Sequence, residues 1–500
     1  MLPYDILEDA LLESRNENGS QNEEEMGETK TQVSNEPMKE NKMGVMPVNK
    51  LLINMALPMV ASMFVQACYN IVDSIFVARI QDTAAVVGSS GGTAALTAVG
   101  LAFPFQMLLI AVSGGTGVGI NAMLSKALGE KDRETVKKTA NHAVFLIAAA
   151  YVVFLLAGIF LAGTLIQSQG GTGLALTYGT QYLRIVYIGA AAVLTQVTFE
   201  RLLQSTGRTF YSMIAQMTGA IINIILDPIF IFGYFGIPEM KVAGAALATV
   251  IGQVCAATVA VLLNHFKNEE IHIDLRRFRP EWKIIKRIYA VGLPSMVMQS
   301  IGSVMNFCMN KILTGLNPDS VAVFTVYFKL QSLFFMPVFG INNGMIPILA
   351  YNYGAGKRSR LIKTVKLSMM YAFASLLIGF TLFELIPDKL LLIFDTGDDT
   401  LLTLGVPALR IIATHFLIAW FCIIGLSLFQ ALGNGMYSLF VSVARQLIVL
   451  IPVAFILAKI GGLELVWWAF PLAELMSLLV TAFFLIRINK NIIRHIPDNV

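Results

Sequence analysis

Gln204-Ser205-Thr206-Gly207-Arg208-Thr209-Phe210-Tyr211-Ser212 returns in the second half of the chain as Gln430-Ala431-Leu432-Gly433-Asn434-Gly435-Met436-Tyr437-Ser438. Each copy ends one long apolar run and begins the next, so Gln, Gly, Tyr and Ser recur at one turn of two related folds. Upstream, Leu183-Arg184-Ile185 corresponds to Leu409-Arg410-Ile411, and Gln106, Gly115, Gly119 and Gly129 correspond to Gln331, Gly340, Gly344 and Gly354. Leu57-Pro58 matches Leu293-Pro294 at a slightly larger offset, as a Gly/Ser-rich insertion at 87–93 requires. Shared hydrophobicity alone would not align polar and small residues in this way. The chain is a duplication.

The repeated unit belongs in lipid. Of the 500 residues 56% are hydrophobic and 14% charged, against about 25% charged in soluble globular proteins. The apolar residues form runs long enough to cross a hydrocarbon core of ~30 Å as helices. Twelve runs are expected, at 49–78, 92–124, 137–163, 174–205, 209–233 and 242–266, then 286–314, 320–350, 361–386, 403–431, 436–459 and 464–487. The fold class is therefore all-α integral membrane, with two six-helix lobes. An even number of crossings per lobe keeps both copies in the same orientation, related by an axis along the membrane normal.

Charge sets the direction. Lys126, Lys131, Arg133, Lys137 and Lys138, then Lys357, Arg358, Arg360 and Lys363, fall in loops on one side. The opposite loops hold only Arg79, Lys241, Lys389 and Lys459 as basic residues. The positive-inside rule places the basic loops and both termini in the cytoplasm, with the lipid bilayer as the chain's main partner. The basic sequence pI of about 8.7 thus reflects topology and not nucleic-acid binding. Residues 1–47 are acid-rich and poor in large apolar residues, and are expected to form a disordered cytoplasmic tail with no signal-peptide pattern. The first lobe spans 48–266, a linker with Arg276, Arg277 and Arg279 spans 267–285, the second lobe spans 286–487, and 488–500 is a cytoplasmic tail.

Five acids lie in the apolar runs: Asp73, Glu200, Asp227, Glu384 and Glu474. Each costs roughly 2.5–3.5 kcal/mol at mid-membrane, so each needs a reason. Asn70 and Asp73 are three residues apart, and Asn223 and Asp227 four, so each carboxylate shares a helix face with a carboxamide. Facing one another, the two acids would hold a proton or, with amide and hydroxyl oxygens, a hard cation; alternatively each pairs with a buried base such as Arg184. Asn70, Gln106, Glu200, Lys329 and Gln331 are candidates for lining a cavity. The intramembrane bases Lys311, Lys329, Arg410 and Arg445 all belong to the second lobe.

Catalysis finds no support. Gly114-Gly115-Thr116-Gly117-Val118-Gly119 looks like a nucleotide loop, but it follows no strand and lacks the Lys-Ser/Thr of a phosphate loop, so it reads as close helix packing. Four cysteines in apolar runs and five scattered histidines form no ligand set. No enzyme and no organic cofactor are expected.

These residues resemble the multidrug and toxic compound extrusion (MATE) family, in particular its MepA-like bacterial branch, over nearly all of 48–487. The resemblance rests on Leu57-Pro58, Tyr69-Asn70-Ile71-Val72-Asp73 with Phe76-Val77, and Asn223-Ile224-Ile225-Leu226-Asp227-Pro228. It continues in Gly244-Ala245-Ala246-Leu247-Ala248-Thr249, Met336-Pro337-Val338-Phe339-Gly340, Tyr351-Asn352-Tyr353-Gly354-Ala355 and Gln430-Ala431-Leu432-Gly433. It implies efflux of varied, often cationic and amphipathic small molecules across a bacterial plasma membrane, in exchange for protons or sodium ions, by a protein working as a monomer. It also implies a first-lobe cation site at Asp73, Asn223, Asp227 and Thr249, able to take a proton or sodium, and a bending proline at Pro58. One branch instead binds sodium through acids of helices seven and ten. This chain departs from that pattern, with Asn306, Asn310 and Lys311 in helix seven and no acid in helix ten. The competing function on the same architecture is a flippase for lipid-linked saccharides, whose phosphate cargo would require several basic residues in the cavity.

Overall fold

The computed structural model describes residues 40–78, 91–276, 278–317, 319–393 and 400–498; the side chains of 69–75, 77–78, 91–94, 96 and 400 are not among those described. Helices dominate, and no strand forms among the described residues. The first lobe comprises α1 (Val48–Ala78), α2 (Gly91–Gly129), α3 (Arg133–Phe160), α4 in two halves (Gly173–Ile188 and Ala190–Ser205), α5 (Thr209–Phe232) and α6 (Lys241–Lys267). The second comprises α7 (Trp282–Leu316), α8 (Asp319–Gly354), α9 (Arg358–Leu385), α10 in two halves (Thr400–Ala413 and Phe416–Ala431), α11 (Gly435–Val466) and α12 (Ala469–Asn491). Ten helices are long and apolar enough to cross a membrane singly, and twelve spans result when each bent pair counts as one.

The duplication explains where the chain bends. The halves of α4 meet at 47° and those of α10 at 51°, and the breaks, at Gly189 and at Thr414-His415, occupy equivalent places in the repeat. At Gly189 an added Cβ would lie 2.6 Å from both methyls of Val250, so glycine lets the bend approach α6. The repeated turns also share one backbone conformation, with φ of 81° at both Gly207 and Gly433. That is left-handed space which favours glycine.

Lipid removes the hydrophobic incentive for helices to associate, so contact depends on dispersion between closely packed backbones. The glycines of the repeat supply that contact between lobes. A Cβ on Gly115 of α2 would lie 2.8 Å from Gly292 O of α7, and one on Gly119 would collide with Ile288 O. Their counterparts in α8 meet α1: a Cβ on Gly340 would stand 2.6 Å from Val60 N, and one on Gly344 2.8 Å from Ala56 N. At the helix ends nearest the basic loops, Gly129 sits against Tyr351 and Gly354 against Lys126, so α2 and α8 close on each other directly.

Two segments outside the spans make specific contacts. Before residue 48, Lys42–Val45 is helical, Met43 is fully buried, and Arg360 Nη2 donates to Met43 O at 3.0 Å and to Met46 O at 2.7 Å. The linker packs on α3. Asn141 Nδ2 donates to Asp274 O at 2.8 Å, Asp274 N donates back to Asn141 Oδ1 at 3.0 Å, and Glu281 N donates to His142 Nε2 at 2.7 Å.

Candidate cation site and inter-lobe cavity

Asn223 and Asp227 lie one turn apart on α5, and Thr249 faces them from α6. Glycine again sets the distance: a Cβ on Gly252 would lie 2.7 Å from Gly219 O and 3.1 Å from Asn223 Cβ. All three polar residues are buried, Asp227 completely. One orientation of the Asn223 amide puts Nδ2 3.4 Å from Asp227 Oδ1 and 3.3 Å from Thr249 Oγ1. The reversed orientation satisfies both ends, with Nδ2 donating to Asp227 Oδ2 at 3.0 Å and the amide oxygen accepting from Thr249 N at 3.0 Å. We adopt it, because amide orientation is assigned from the hydrogen-bond network. The cluster is an oxygen-rich set of buried side chains around one carboxylate.

The side chains of Asn70 and Asp73 lie outside the described residues. Arg184, the alternative partner for a buried acid, is exposed and forms no ion pair among the described residues. Pro58 sits inside α1, where it removes one backbone donor from an otherwise continuous helix.

A cavity of about 640 Å3 lies between the lobes and is lined mainly by the second. Gln331 borders it; Gln106, Glu200 and Lys329 do not. Gln106 instead accepts from Tyr182 OH at 3.3 Å, Glu200 is buried and accepts from Gln196 Nε2 at 3.0 Å, and Lys329 is exposed. Residues not singled out from sequence dominate the polar part of the wall. Arg201, the neighbour of Glu200, reaches the cavity and donates through Nη1 to Gln204 Oε1 at 2.8 Å and to Asn343 Oδ1 at 3.0 Å.

On the other wall Arg445 pairs with Glu474 at 3.2 Å. Arg445 belongs to a π-helical segment, Ala444–Leu450, inside α11. The wider i→i+5 turn is accompanied by Arg445, Gln446 and Leu450 all bordering the cavity. Phe335, Phe470 and His415 add an aromatic surface, with Phe335 and His415 centroids 6.0 Å apart. Among the described residues no cluster of His, Cys, Asp and Glu could hold a metal ion by itself.

The arrangement matches known proteins along most of its length. The multidrug export protein MepA of Staphylococcus aureus (strain MRSA252) is 25% identical over 431 residues, covering 86% of this chain and 91% of its own. MepA of Staphylococcus saprophyticus is 26% identical over 430 residues, covering 85% and 91%. The outward-facing structure of a multidrug resistance MATE family transporter of the MOP superfamily superposes with a TM-score of 0.83 at 25% identity, covering 91% of this chain and 99% of that one. The family model MatE matches twice, at residues 58–229 and 294–456, each match beginning at one of the paired prolines Pro58 and Pro294. With the duplicated bundle and the inter-lobe cavity in place, this double match identifies the chain as a member of the MatE family.

Proposed function

We propose that the chain is a secondary active efflux transporter exporting small organic molecules, chiefly cationic amphiphiles, in antiport with protons or sodium ions. The observation that carries the reading is the cavity of about 640 Å3 between two lobes that touch along glycine seams. Such seams can part and re-form without exposing a hydrophobic core, as alternating access requires. The relatives named as multidrug export proteins support the cargo class.

Orientation follows from charge. With the basic loops and both termini cytoplasmic, the Gly129 and Gly354 seam closes the cytoplasmic end, and the state is outward-facing. Coupling is assigned to Asp73, Asn223, Asp227 and Thr249. Asp227 supplies a fully buried carboxylate that, with the oxygens of Asn223 and Thr249 beside it, suits a proton or a hard cation. Pro58 weakens α1 on the seam with α8, where bending would release one lobe from the other. The flippase reading finds less support, since one of the two cavity arginines, Arg445, is paired with the acid Glu474.

The test is dye and organic-cation efflux from bacterial cells expressing the full chain, with proton and sodium gradients imposed separately. Faster efflux driven by one gradient is expected. Accumulation equal to that of cells lacking the protein would overturn the reading.

A further inference from the structure

The chain touches the second lobe before α1 has begun. Lys42–Val45 is a single helical turn, too short to satisfy its own last carbonyls. Donors from the second lobe do so instead. Asn352 Nδ2 reaches Met43 O at 3.1 Å, Lys357 Nζ reaches Gly44 O at 3.2 Å, and Arg360 Nη2 reaches Met43 O at 3.0 Å and Met46 O at 2.7 Å. Arg360 Nε also donates to Asn352 Oδ1 at 3.1 Å, which fixes the two donors to each other. Met43 and Asn352 are fully buried at this contact.

Both sides of the contact are held rigidly to their own lobes. Lys42 Nζ donates to Asn54 Oδ1 of α1 at 3.0 Å, so the turn is fastened to the first lobe. On the second-lobe side, Asp498 of the C-terminal tail accepts from Ser359 N at 2.9 Å and from Ser359 Oγ, which braces the loop that carries Lys357 and Arg360. The position is equally specific. Asn352 follows Tyr351, whose carbonyl faces Gly129 of α2 across the seam, so the end of α8 is gripped by the first lobe at two adjacent residues.

We propose that residues 43–46 are a latch, which holds the lobes closed at the end nearest the basic loops through Asn352, Lys357 and Arg360 and releases when that end opens. A glycine seam holds by close packing alone, whereas the latch adds charge-assisted hydrogen bonds, the stronger class. These bonds share one short segment, so they are lost together when α8 and α9 move away from α1. The inference rests on the lobe movement in the export reading and adds the device that sets its resting state.

The experiment measures distances between spin labels on the purified full chain, with the native cysteines replaced by alanine and labels at Lys131→Cys in the first lobe and Lys363→Cys in the second. Arg360→Gln should raise the ratio of long to short distances about tenfold or more, the effect of losing a hydrogen bond to a charged group. Lys357→Met and Asn352→Leu each remove one donor and should shift the ratio in the same direction, which keeps the test decisive if Arg360→Gln folds poorly. Lys42→Met removes a bond inside the first lobe and should leave the ratio close to that of the parent. An unchanged ratio in the folded donor variants, or an equal shift in Lys42→Met, would overturn the latch. The measurement needs no cargo, so a failed latch leaves export untouched. The expected shift in a chain that exports no dye would uphold the latch and defeat the export reading alone.

Discussion

Arg201 of the first lobe donates to Asn343 of the second across 3.0 Å, a charged hydrogen bond that ties the lobes together at the cavity wall. Its neighbours make the tie specific. Gln204 Oε1 holds the same nitrogen at 2.8 Å, and Gln204 Nε2 donates to Ser212 Oγ at 2.9 Å, so the guanidinium is anchored through the turn that repeats in the sequence.

Removing that tie should favour separation of the lobes. A hydrogen bond to a charged group contributes about 1.5–3 kcal/mol, enough to move a two-state equilibrium roughly tenfold or more. Spin labels at Lys131 and Arg358, one in each lobe beside the basic loops, should give one short distance in the parent protein. Arg201→Gln should add a longer one. An unaltered distance distribution would mean that the seam glycines hold the lobes without help.

The seam makes a contrasting prediction within a single helix. Gly100 and Gly119 both lie in α2, but a Cβ on Gly100 meets nothing within 4 Å whereas one on Gly119 runs into Ile288 O. Gly100→Ala should be tolerated and should strengthen the helix by about 1 kcal/mol. Gly119→Ala should force α2 from α7, costing about 1–3 kcal/mol of overpacking, and should depress transport. Thermal unfolding and efflux rate measure the two effects; similar behaviour of the two variants would refute a glycine-dependent lobe contact.

Acid should release the linker from α3. The backbone N–H of Arg276 and then the Lys137 ammonium hold the Asp274 carboxyl below its ordinary value, and the Lys138 ammonium does the same for Glu281. Both folded values are depressed, so the contribution is present above the unfolded values and is lost as pH falls through the folded ones. Limited proteolysis of residues 268–281 should therefore be slow at pH 7 and accelerate below about pH 4, the ordinary carboxylate range. Lys138→Met should weaken protection at neutral pH, since Lys138 binds Glu281 at 2.8 Å.

Most of the architecture is legible in the residues. Apolar runs separated by basic loops announce the spans, and the paired Gln, Gly and Tyr positions announce the duplication. The Gly114 to Gly119 cluster reads as packing, and Gly115 and Gly119 do pack, against α7. The cavity is less legible. Glu200 stands out as a buried acid, yet its neighbour Arg201 reaches the cavity, because the 47° break at Gly189 sets the rotation of the second half of α4. Arg445 reaches Glu474 from a π turn, and neither its presence nor its extra rotation follows from a 3.6-residue period. One signal for the pair was available: Glu474 and Arg445 are opposite charges in neighbouring apolar runs, each costly to bury without the other.

Coupling is the most exacting test of the first lobe. Asp227 is fully buried, one face of its carboxylate is held by Asn223, and Thr249 stands on the opposite helix. If an ion binds there with Asp73, inward movement of each charge gains about 2.3 kcal/mol per 100 mV of membrane potential, and occupancy must oppose the cargo-loaded state to be useful. Asp227→Asn and Asp73→Asn preserve size and remove the titratable charge, so both should reach the membrane. In proteoliposomes each should lose at least about tenfold of gradient-driven uptake, the factor that 1.4 kcal/mol represents, while exchange of cargo for cargo at equilibrium persists. Thr249→Val should leave a proton-driven protein largely active and cripple a sodium-driven one, because a proton needs only the carboxylate whereas sodium needs the hydroxyl oxygen as a ligand. Wild-type response of both Asn variants to imposed proton and sodium gradients would make these carboxylates structural and move coupling elsewhere in the chain.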